Sequence, residues 1–337
     1  MNKRLLIPFF AAMLGSASLH ATERILVASN RSNSIEEFNT SGTWLRTFAT
    51  TGPYAPVALA QSPTNGDIFV TTTWASGPQA GQLTNPGKIL RYDENGNFDV
   101  VWDTFTVACP NPISYPLCPT TQTQSLLFDS LGNLWVATAY GKDLGGAPIY
   151  IFEYLAGDLK KANPPAQPIP IVASMYRGNQ MAFNKSGDLC IAGFIDRDVQ
   201  CFNTSTRAKT HDYSAEIVAS GLSIAPGGLA FDGNDRMYLT DVFGGQVAKE
   251  INPGGPIKHL ATLPSQLDGN LVLRGANLYT STFNVSPPTF STPDPVYEVS
   301  TSGIPVNKFI YEIAPPALGN DHIWGAYWMI FYCDDCF

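Results

Sequence analysis

Charged residues are scarce in this chain of 337 residues, where Asp, Glu, Lys and Arg together make up 14%. The 20 basic residues are outnumbered by 28 acidic ones, which leaves a formal net charge of −8. Proteins that bind nucleic acid present clustered Lys and Arg to the phosphates, so nucleic acid is not expected as a partner. Long apolar runs are also missing. The late run Trp324–Cys333 is too short to span a membrane, which takes ~20 residues.

Residues that carry catalytic or metal-binding chemistry are few, with four histidines and six cysteines. The sequence has no Gly-x-Ser-x-Gly nucleophile elbow, because Gly221–Ala225 lacks the final glycine and precedes a proline rather than a helix. No catalytic residue is therefore assigned from motifs, and whether the protein is an enzyme stays open at this point.

The N-terminus has the pattern of a secretory signal peptide. Met1–Arg4 is a charged start, Leu5–Leu14 is an apolar stretch, and small residues follow as far as Ala21. The apolar stretch is interrupted by Pro8 and is shorter than an anchoring helix requires. We therefore expect residues 1–21 to be removed on export, which leaves residues 22–337 as one secreted or periplasmic domain.

The even number of cysteines fits a protein that folds in an oxidising compartment. Cys109 and Cys118 bracket a proline-rich loop, and Cys190 and Cys201 flank a turn between two predicted strands. Cys333 and Cys336 form a C-x-x-C motif. Because the sequence has neither a second such motif nor a His pair to go with it, a local disulfide is favoured over a zinc or redox site. The predicted disulfides join Cys109 to Cys118, Cys190 to Cys201, and Cys333 to Cys336.

A strand-like unit of five residues, usually preceded by a turn with Gly, Asn or Asp, recurs six times. Neighbouring units are 41 to 66 residues apart, and the two widest intervals contain the insertions Cys109–Cys118 and Asn163–Pro170. Periods of ~40–50 residues with several short strands in each are typical of β-propeller blades. The units are Glu23–Val27, Gly66–Val70, Gly132–Val136, Gly187–Ile191, Asp235–Leu239 and Ala276–Thr280.

Each period contains an apolar strand, a tight turn, the recurring unit and two further strands, which together predict a four-stranded antiparallel blade. The mature chain starts at a second strand, so its first blade needs an inner strand from the C-terminus, and Asp321–Trp328 is suited to supply it. Such closure removes open sheet edges. We therefore predict an all-β, six-bladed β-propeller whose N- and C-terminal strands share one blade. Seven blades, with Ile323 in the seventh, is the alternative.

Two segments resemble NHL repeats. Arg24–Phe48 is similar to the second half of a repeat, and Gly228–Asp241 is similar to the first half. At the level of repeats the resemblance extends over the whole mature chain and points to the NHL/gluconolactonase-like (regucalcin-like) superfamily. That superfamily includes lactonases, lyases and non-catalytic scaffolds, so the resemblance implies an architecture rather than one activity.

The lactonases of this superfamily bind a divalent cation at the channel mouth through a Glu near the N-terminus and an Asn and an Asp that begin inner strands. Asn179 in Asn-Gln-Met-Ala-Phe and Asp268 in Asp-Gly-Asn-Leu-Val are similar to two of these ligands. The resemblance thus implies that they hold calcium or a similar hard cation. The Glu motif is missing here, and the inner strand at Pro226 begins without a ligand. The alternative is that both side chains bond backbone groups at strand starts.

Inner strands of a propeller begin on one face, so Gln124 and His322 are expected at the same channel mouth as Asn179 and Asp268. These four residues are the predicted ligand-binding set. The leading hypothesis is an exported, monomeric propeller that binds a small molecule, peptide or glycan there without catalysis. The alternative is a metal-dependent hydrolase or lyase that resembles the lactonases.

Overall fold

The protein is described here from a computed structural model. The structure describes residues 22–30, 32–74, 88–103, 123–138, 149–162, 164, 167–171, 178–193, 195–264, 269–282, 295–310 and 326–334.

Twenty-four strands, β1 to β24 in chain order, form six four-stranded antiparallel sheets. The innermost strands of neighbouring sheets pack against one another around a central axis. This is the predicted six-bladed β-propeller, and the alternative of seven blades is wrong. From the innermost strand outward, blade 1 contains β24 (Ala326–Asp334), β1 (Thr22–Ser29), β2 (Ser34–Asn39) and β3 (Trp44–Thr50).

The other blades follow in chain order, and each starts with its innermost strand. Blade 2 contains β4 (Tyr54–Gln61), β5 (Ile68–Trp74), β6 (Lys88–Tyr92) and β7 (Phe98–Asp103). Blade 3 contains β8 (Thr123–Phe128), β9 (Leu134–Thr138), β10 (Ile149–Tyr154) and β11 (Gln167–Ile171). Blade 4 contains β12 (Gly178–Phe183), β13 (Leu189–Gly193), β14 (Asp198–Phe202) and β15 (Lys209–Asp212).

Blade 5 contains β16 (Pro226–Phe231), β17 (Met237–Asp241), β18 (Gln246–Glu250) and β19 (Ile257–Thr262). Blade 6 contains β20 (Leu271–Arg274), β21 (Asn277–Ser281), β22 (Val296–Ser300) and β23 (Val306–Ile310). One short helix, α1 (Ser214–Ala219), links blades 4 and 5. No helix in the described part of the chain is both long and apolar enough to cross a membrane.

The closing strand lies later in the chain than predicted. It is Ala326–Asp334, so only the last three residues of the predicted Asp321–Trp328 belong to it, and residues 321–325 are outside the described residues. Trp328 packs in the apolar cluster shared with blade 2, whereas Met329 packs in the cluster shared with blade 6. An innermost strand is buried on both faces, so the unbroken apolar run from residue 326 is the segment that fits this position.

Carboxylate-centred turns connect the strands. In the turn between β8 and β9, Asp129 Oδ1 accepts hydrogen bonds from the backbone N–H groups of Leu131, at 2.9 Å, and Asn133, at 2.8 Å. Gly132 sits in this turn at φ +80°, a conformation that costs glycine little. Asp232 accepts backbone N–H bonds in the same way in the turn at the unit Asp235–Leu239, and Asp93 does so in the turn between β6 and β7. Such turns explain why recurring units follow Gly, Asn or Asp.

Cys190 in β13 faces Cys201 in β14, and the two form the predicted disulfide across the hairpin. Cys333 in β24 is disulfide-bonded too, but its predicted partner Cys336 lies outside the described residues. Cys109 and Cys118 also lie outside them, so that pairing stays a prediction.

Candidate functional site

The central channel has two ends, which we name by the direction of the inner strands. The upper end is where the inner strands of blades 2 to 6 begin, and the lower end is where they finish and turn back into the second strands. Of the predicted ligand-binding residues, Gln124 and Asn179 lie at the upper end.

The start of each inner strand breaks the hydrogen-bond ladder in blades 2 to 5. The pairing of β8 with β9 skips Gln124, and the pairing of β12 with β13 skips Asn179 and Gln180. The same kind of bulge skips Val57 in blade 2 and the two glycines after Pro226 in blade 5. Because a bulge re-aims side chains out of the regular alternation, amide side chains of blades 3 and 4 reach across to other blades.

The Gln180 side chain bridges blades 4, 5 and 6. Its Oε1 accepts the backbone N–H of Leu229 at 2.9 Å and that of Leu271 at 2.7 Å, while its Nε2 donates to the Leu271 carbonyl at 2.9 Å. Asn270 does the same between blade 6 and the closing strand, with Nδ2 donating to the Met329 carbonyl at 2.7 Å and Oδ1 accepting the Met329 N–H at 2.9 Å. These amides satisfy backbone groups of the neighbouring inner strands that would otherwise lack a partner inside the ring.

A third contact joins blades 3 and 4, where Gln124 Nε2 donates to Asn179 Oδ1 at 3.1 Å. We call the four side chains Gln124, Asn179, Gln180 and Asn270 the amide neck. All four are buried, with at most 7% of each residue exposed. The structure therefore brings the predicted residues Gln124 and Asn179 together, whereas Asp268 and His322 lie outside the described residues.

Two buried polar atoms beside the amide neck have no hydrogen-bond partner among the described residues. They are Nδ2 of Asn179 and Oγ1 of Thr123, on residues that are 2% and 1% exposed. An unpaired buried polar group costs about 1–3 kcal/mol, and such groups in native proteins are usually satisfied by water or a ligand. Asn179 Nδ2 and Thr123 Oγ1 are therefore a donor and a hydroxyl whose hydrogen-bonding capacity is unused among the described residues.

The described residues at this end do not by themselves make a divalent-cation site, and Asp268, the predicted carboxylate ligand, lies outside them, so the metal site stays a prediction. Asn179 contributes one neutral oxygen, and that oxygen already accepts the Gln124 hydrogen bond. Within the described ranges no three His, Cys, Asp or Glu side chains cluster in a way that would hold a metal ion. Calcium takes six to eight oxygen ligands, several of them carboxylates, so one amide oxygen is too few.

The amide neck includes two residues that the sequence analysis missed, Gln180 and Asn270, and Thr123 beside it was missed as well. A usable signal was present, because each is a polar residue within three positions of the first apolar residue of an inner strand. Their partners, however, lie on other blades, up to 91 residues away in the sequence. Nothing local to the strand identifies those partners.

Below the amide neck the channel widens into a cavity of about 720 Å³. Gln180 and Asn270 line its inner end, whereas Thr123, Gln124 and Asn179 do not line it. The neck thus lies between the upper end of the channel and this lower cavity.

One titratable side chain is strongly altered by its surroundings in blade 4. Burial raises the pKa of the Asp198 carboxyl to about 6, and the nearby carboxylates of Asp196 and Asp212 add to the rise. The hydrogen bond from Gln200 Nε2 to Asp198 Oδ2, at 2.6 Å, acts in the opposite direction. Asp198 begins β14, two strands outward from Asn179, so it belongs to the upper end of the blade.

No protein-family model matches this sequence, and no curated protein matches it significantly. Solved structures do match its fold. A protein of unknown function from Bacteroides caccae is 13% identical, with a TM-score of 0.59 and 93% of this chain and 99% of that chain covered. For a chain of a nidogen/laminin complex the identity is 11%, the TM-score 0.61 and the coverage 92% and 98%.

A streptogramin B lyase is 11% identical, with a TM-score of 0.53 and coverage of 86% of this chain and 80% of that one. At such identities the matches establish the fold alone. The protein is thus a six-bladed β-propeller with the architecture of propellers that include a lyase and a member of a laminin complex, in agreement with the resemblance drawn from its repeats.

Proposed function

We propose that this protein is an exported propeller that binds an uncharged small molecule, peptide or glycan at the upper end of its channel, without catalysis. The observation that carries the proposal is the pair of buried polar atoms without a partner in the described part of the chain, Asn179 Nδ2 and Thr123 Oγ1, on adjacent inner strands. A ligand oxygen that accepts the Asn179 N–H and contacts the Thr123 hydroxyl would remove both desolvation costs.

The chemistry of this end favours an uncharged ligand. Thr123, Gln124 and Asn179 carry amides and a hydroxyl, and the net charge of −8 disfavours the approach of an anion. Hydroxyl and amide carbonyl oxygens are the acceptors that such groups recognise, and they are the groups that glycans and peptides present. The four amides are held by cross-blade hydrogen bonds, so the site is already ordered before a ligand arrives.

Saturation-transfer NMR with two probes, N-acetylglucosamine and N-acetylalaninamide, tests the proposal. We expect wild-type protein to transfer saturation to at least one probe. Asn179→Ala should weaken that binding by about tenfold, the equivalent of ~1.4 kcal/mol, because the donor is lost. Asn95→Ala, which removes an amide from an exposed turn, is the matched control and should leave the signal unchanged.

Absence of transfer to both probes, or equal transfer by wild-type protein and Asn179→Ala, would count against the proposal. Catalysis is tested separately with gluconolactone and CaCl₂. We expect no hydrolysis above the uncatalysed rate. Hydrolysis that requires calcium and disappears in Asp268→Ala would favour the lactonase-like alternative instead.

A further inference from the structure

We infer that the lower cavity is a second binding site, separate from the upper end of the channel, for an uncharged molecule with an apolar, ring-containing body. The cavity has a volume of about 720 Å³, within the ~300–1,000 Å³ typical of pockets that hold small ligands. Its inner end is formed by Gln180 and Asn270, so a ligand would enter and leave through the lower end.

Much of the exposed wall of the cavity is apolar. Half-buried apolar side chains from five of the six inner strands line it, whereas polar groups come from the end of β4 and from the turns after β4 and β8. The half-buried apolar residues are Leu127, Phe128, Ala182, Phe183, Phe231, Val272, Leu273, Ile330 and Phe331, and the polar ones are Gln61, Ser62, Asp129 and Ser130. Removal of apolar ligand surface from water into such a space is favourable at roughly 25 cal/mol per Å².

Aromatic rings surround the opening. The inner strands β8, β12 and β16 each end in phenylalanine, and a further phenylalanine, Phe331, lies near the end of β24. All four are half-buried and line the cavity. Three of them contact another aromatic ring in the core between the blades, on the side that faces away from the cavity. Phe128 lies 5.3 Å from Phe69, Phe183 lies 6.4 Å from Trp135, and Phe331 lies 5.0 Å from Tyr279, all edge-to-face between ring centroids.

The fourth ring is Phe231 in blade 5, which packs against the cluster between blades 4 and 5. Rings that are held on one side and half-exposed on the other present rigid apolar surface to the cavity. Such surface is suited to a planar or ring-containing ligand, because offset and edge-to-face contacts between rings are favourable.

Charged groups are few in the described lining of the cavity. Asp129 is the one titratable residue there, and its carboxylate already accepts hydrogen bonds from its own turn. Besides the two backbone bonds of the turn, Oδ2 accepts the Asn133 amide and the Trp135 indole N–H, each at 3.0 Å. Arg274 stacks 4.5 Å from the Phe331 ring centroid but is paired with Glu23. An uncharged ligand therefore fits the lining better than an ion.

The probe for this site is N-phenyl-1-naphthylamine, which is uncharged, contains fused rings and fluoresces strongly in apolar surroundings. We expect saturable, one-to-one binding to the wild-type protein. Ala182→Trp places a large side chain into the cavity from a half-buried lining position and should weaken binding at least tenfold. Val218→Trp adds the same side chain at an exposed site on α1 and should leave binding unchanged.

Leu273→Gln provides a second lining change in case Ala182→Trp does not fold, and it too should weaken binding. Asn179→Ala should leave naphthylamine binding intact, since Asn179 does not line the cavity. Loss of binding at one site can therefore be told apart from loss at the other. The inference is overturned if wild-type protein gives no saturable fluorescence. It is equally overturned if a folded lining variant binds as tightly as wild-type, or if Val218→Trp weakens binding as much as Ala182→Trp does.

Discussion

Asp198 is a carboxylate that the fold holds in an unfavourable environment for its charged form. Burial raises its pKa to about 6, above the ~3.9 of an Asp in an unfolded chain. The folded state therefore binds more protons than the unfolded state between roughly pH 4 and pH 6. The stability that the protonated group contributes is full below pH 4 and is lost as the pH rises through 6.

Asp198→Asn removes this titration, so we expect the variant and wild-type protein to melt at similar temperatures at pH 4. At pH 8 the variant should melt about 2–4 °C higher, because no buried charge has to form. Thermal unfolding followed by circular dichroism from pH 4 to pH 8 measures the difference. A difference between the two proteins that does not change with pH would show that the ionisation of Asp198 is not responsible.

Whether the protein binds a divalent cation also depends on individual side chains. Asp268 would supply the one carboxylate of the predicted set, with Asn179 as a neutral ligand, and hard-cation affinity rises with the number of charged ligands. We therefore expect any calcium binding to be weak, with a Kd near ~1 mM, and to be lost in Asp268→Ala. Isothermal titration with CaCl₂ measures both proteins. Unchanged binding in Asp268→Ala would locate the cation elsewhere.

The elements that shape the channel are the bulged starts of the inner strands. In β16 the bulge uses glycine because neighbouring blades approach too closely for a side chain. A Cβ on Gly228 would lie 2.5 Å from Thr240 Oγ1 and 2.9 Å from the backbone nitrogen of Leu271. The N–H of Leu271 donates a hydrogen bond to Gln180 Oε1. The glycine therefore allows blade 6 to pack closely enough to contact the amide neck.

Gly228→Ala should therefore destabilise the protein by about 1–3 kcal/mol, the usual cost of overpacking a tightly packed site. Gly233→Ala, in the turn after the same strand, is the matched control, since no atom lies within 4 Å of its added Cβ. Urea unfolding of the two variants gives the comparison. Equal stability of both variants would mean that the contact with Leu271 is not tight in solution.

For the whole molecule, closure of the ring depends on β24, which pairs with β1 along nearly its full length. Removal of residues 326–337 would expose the edge of β1 and the apolar clusters on both sides of the closing strand. We expect the truncated chain to aggregate or to lose cooperative thermal unfolding. A peptide of residues 326–337 added in trans should restore part of the cooperativity. A truncated chain that melts as wild-type protein does would contradict this role for β24.

Export is a property of the whole molecule as well. The disulfide between Cys190 and Cys201 is of the kind that persists in oxidising compartments, which supports the proposal that the chain is secreted or periplasmic. We expect N-terminal sequencing of the exported protein to begin close to Thr22, where β1 starts. An exported protein that begins at Met1 would contradict the assignment of a signal peptide.

The sequence by itself determined the propeller class, the order of strands and the turns, and it favoured six blades, whereas the structure excluded seven. These features follow from local chemistry, since alternating apolar residues form strands and Asp, Asn and Gly close the hairpins between them. The disulfide across β13 and β14 was likewise predictable, because its cysteines are 11 residues apart on one hairpin. Gln124 and Asn179 were predicted at one channel mouth from the shared direction of the inner strands.

Only the tertiary structure decided which groups meet inside the ring. Gln180 contacts a backbone group 91 residues away in the sequence, and Asn270 contacts one 59 residues away. Nothing in the sequence of a single repeat indicates either contact. The extent of β24 and the apolar lower cavity also depend on how six blades close around an axis. The physical reason is that strand pairing is encoded by neighbours in the chain, whereas the channel is lined by one short segment from every blade.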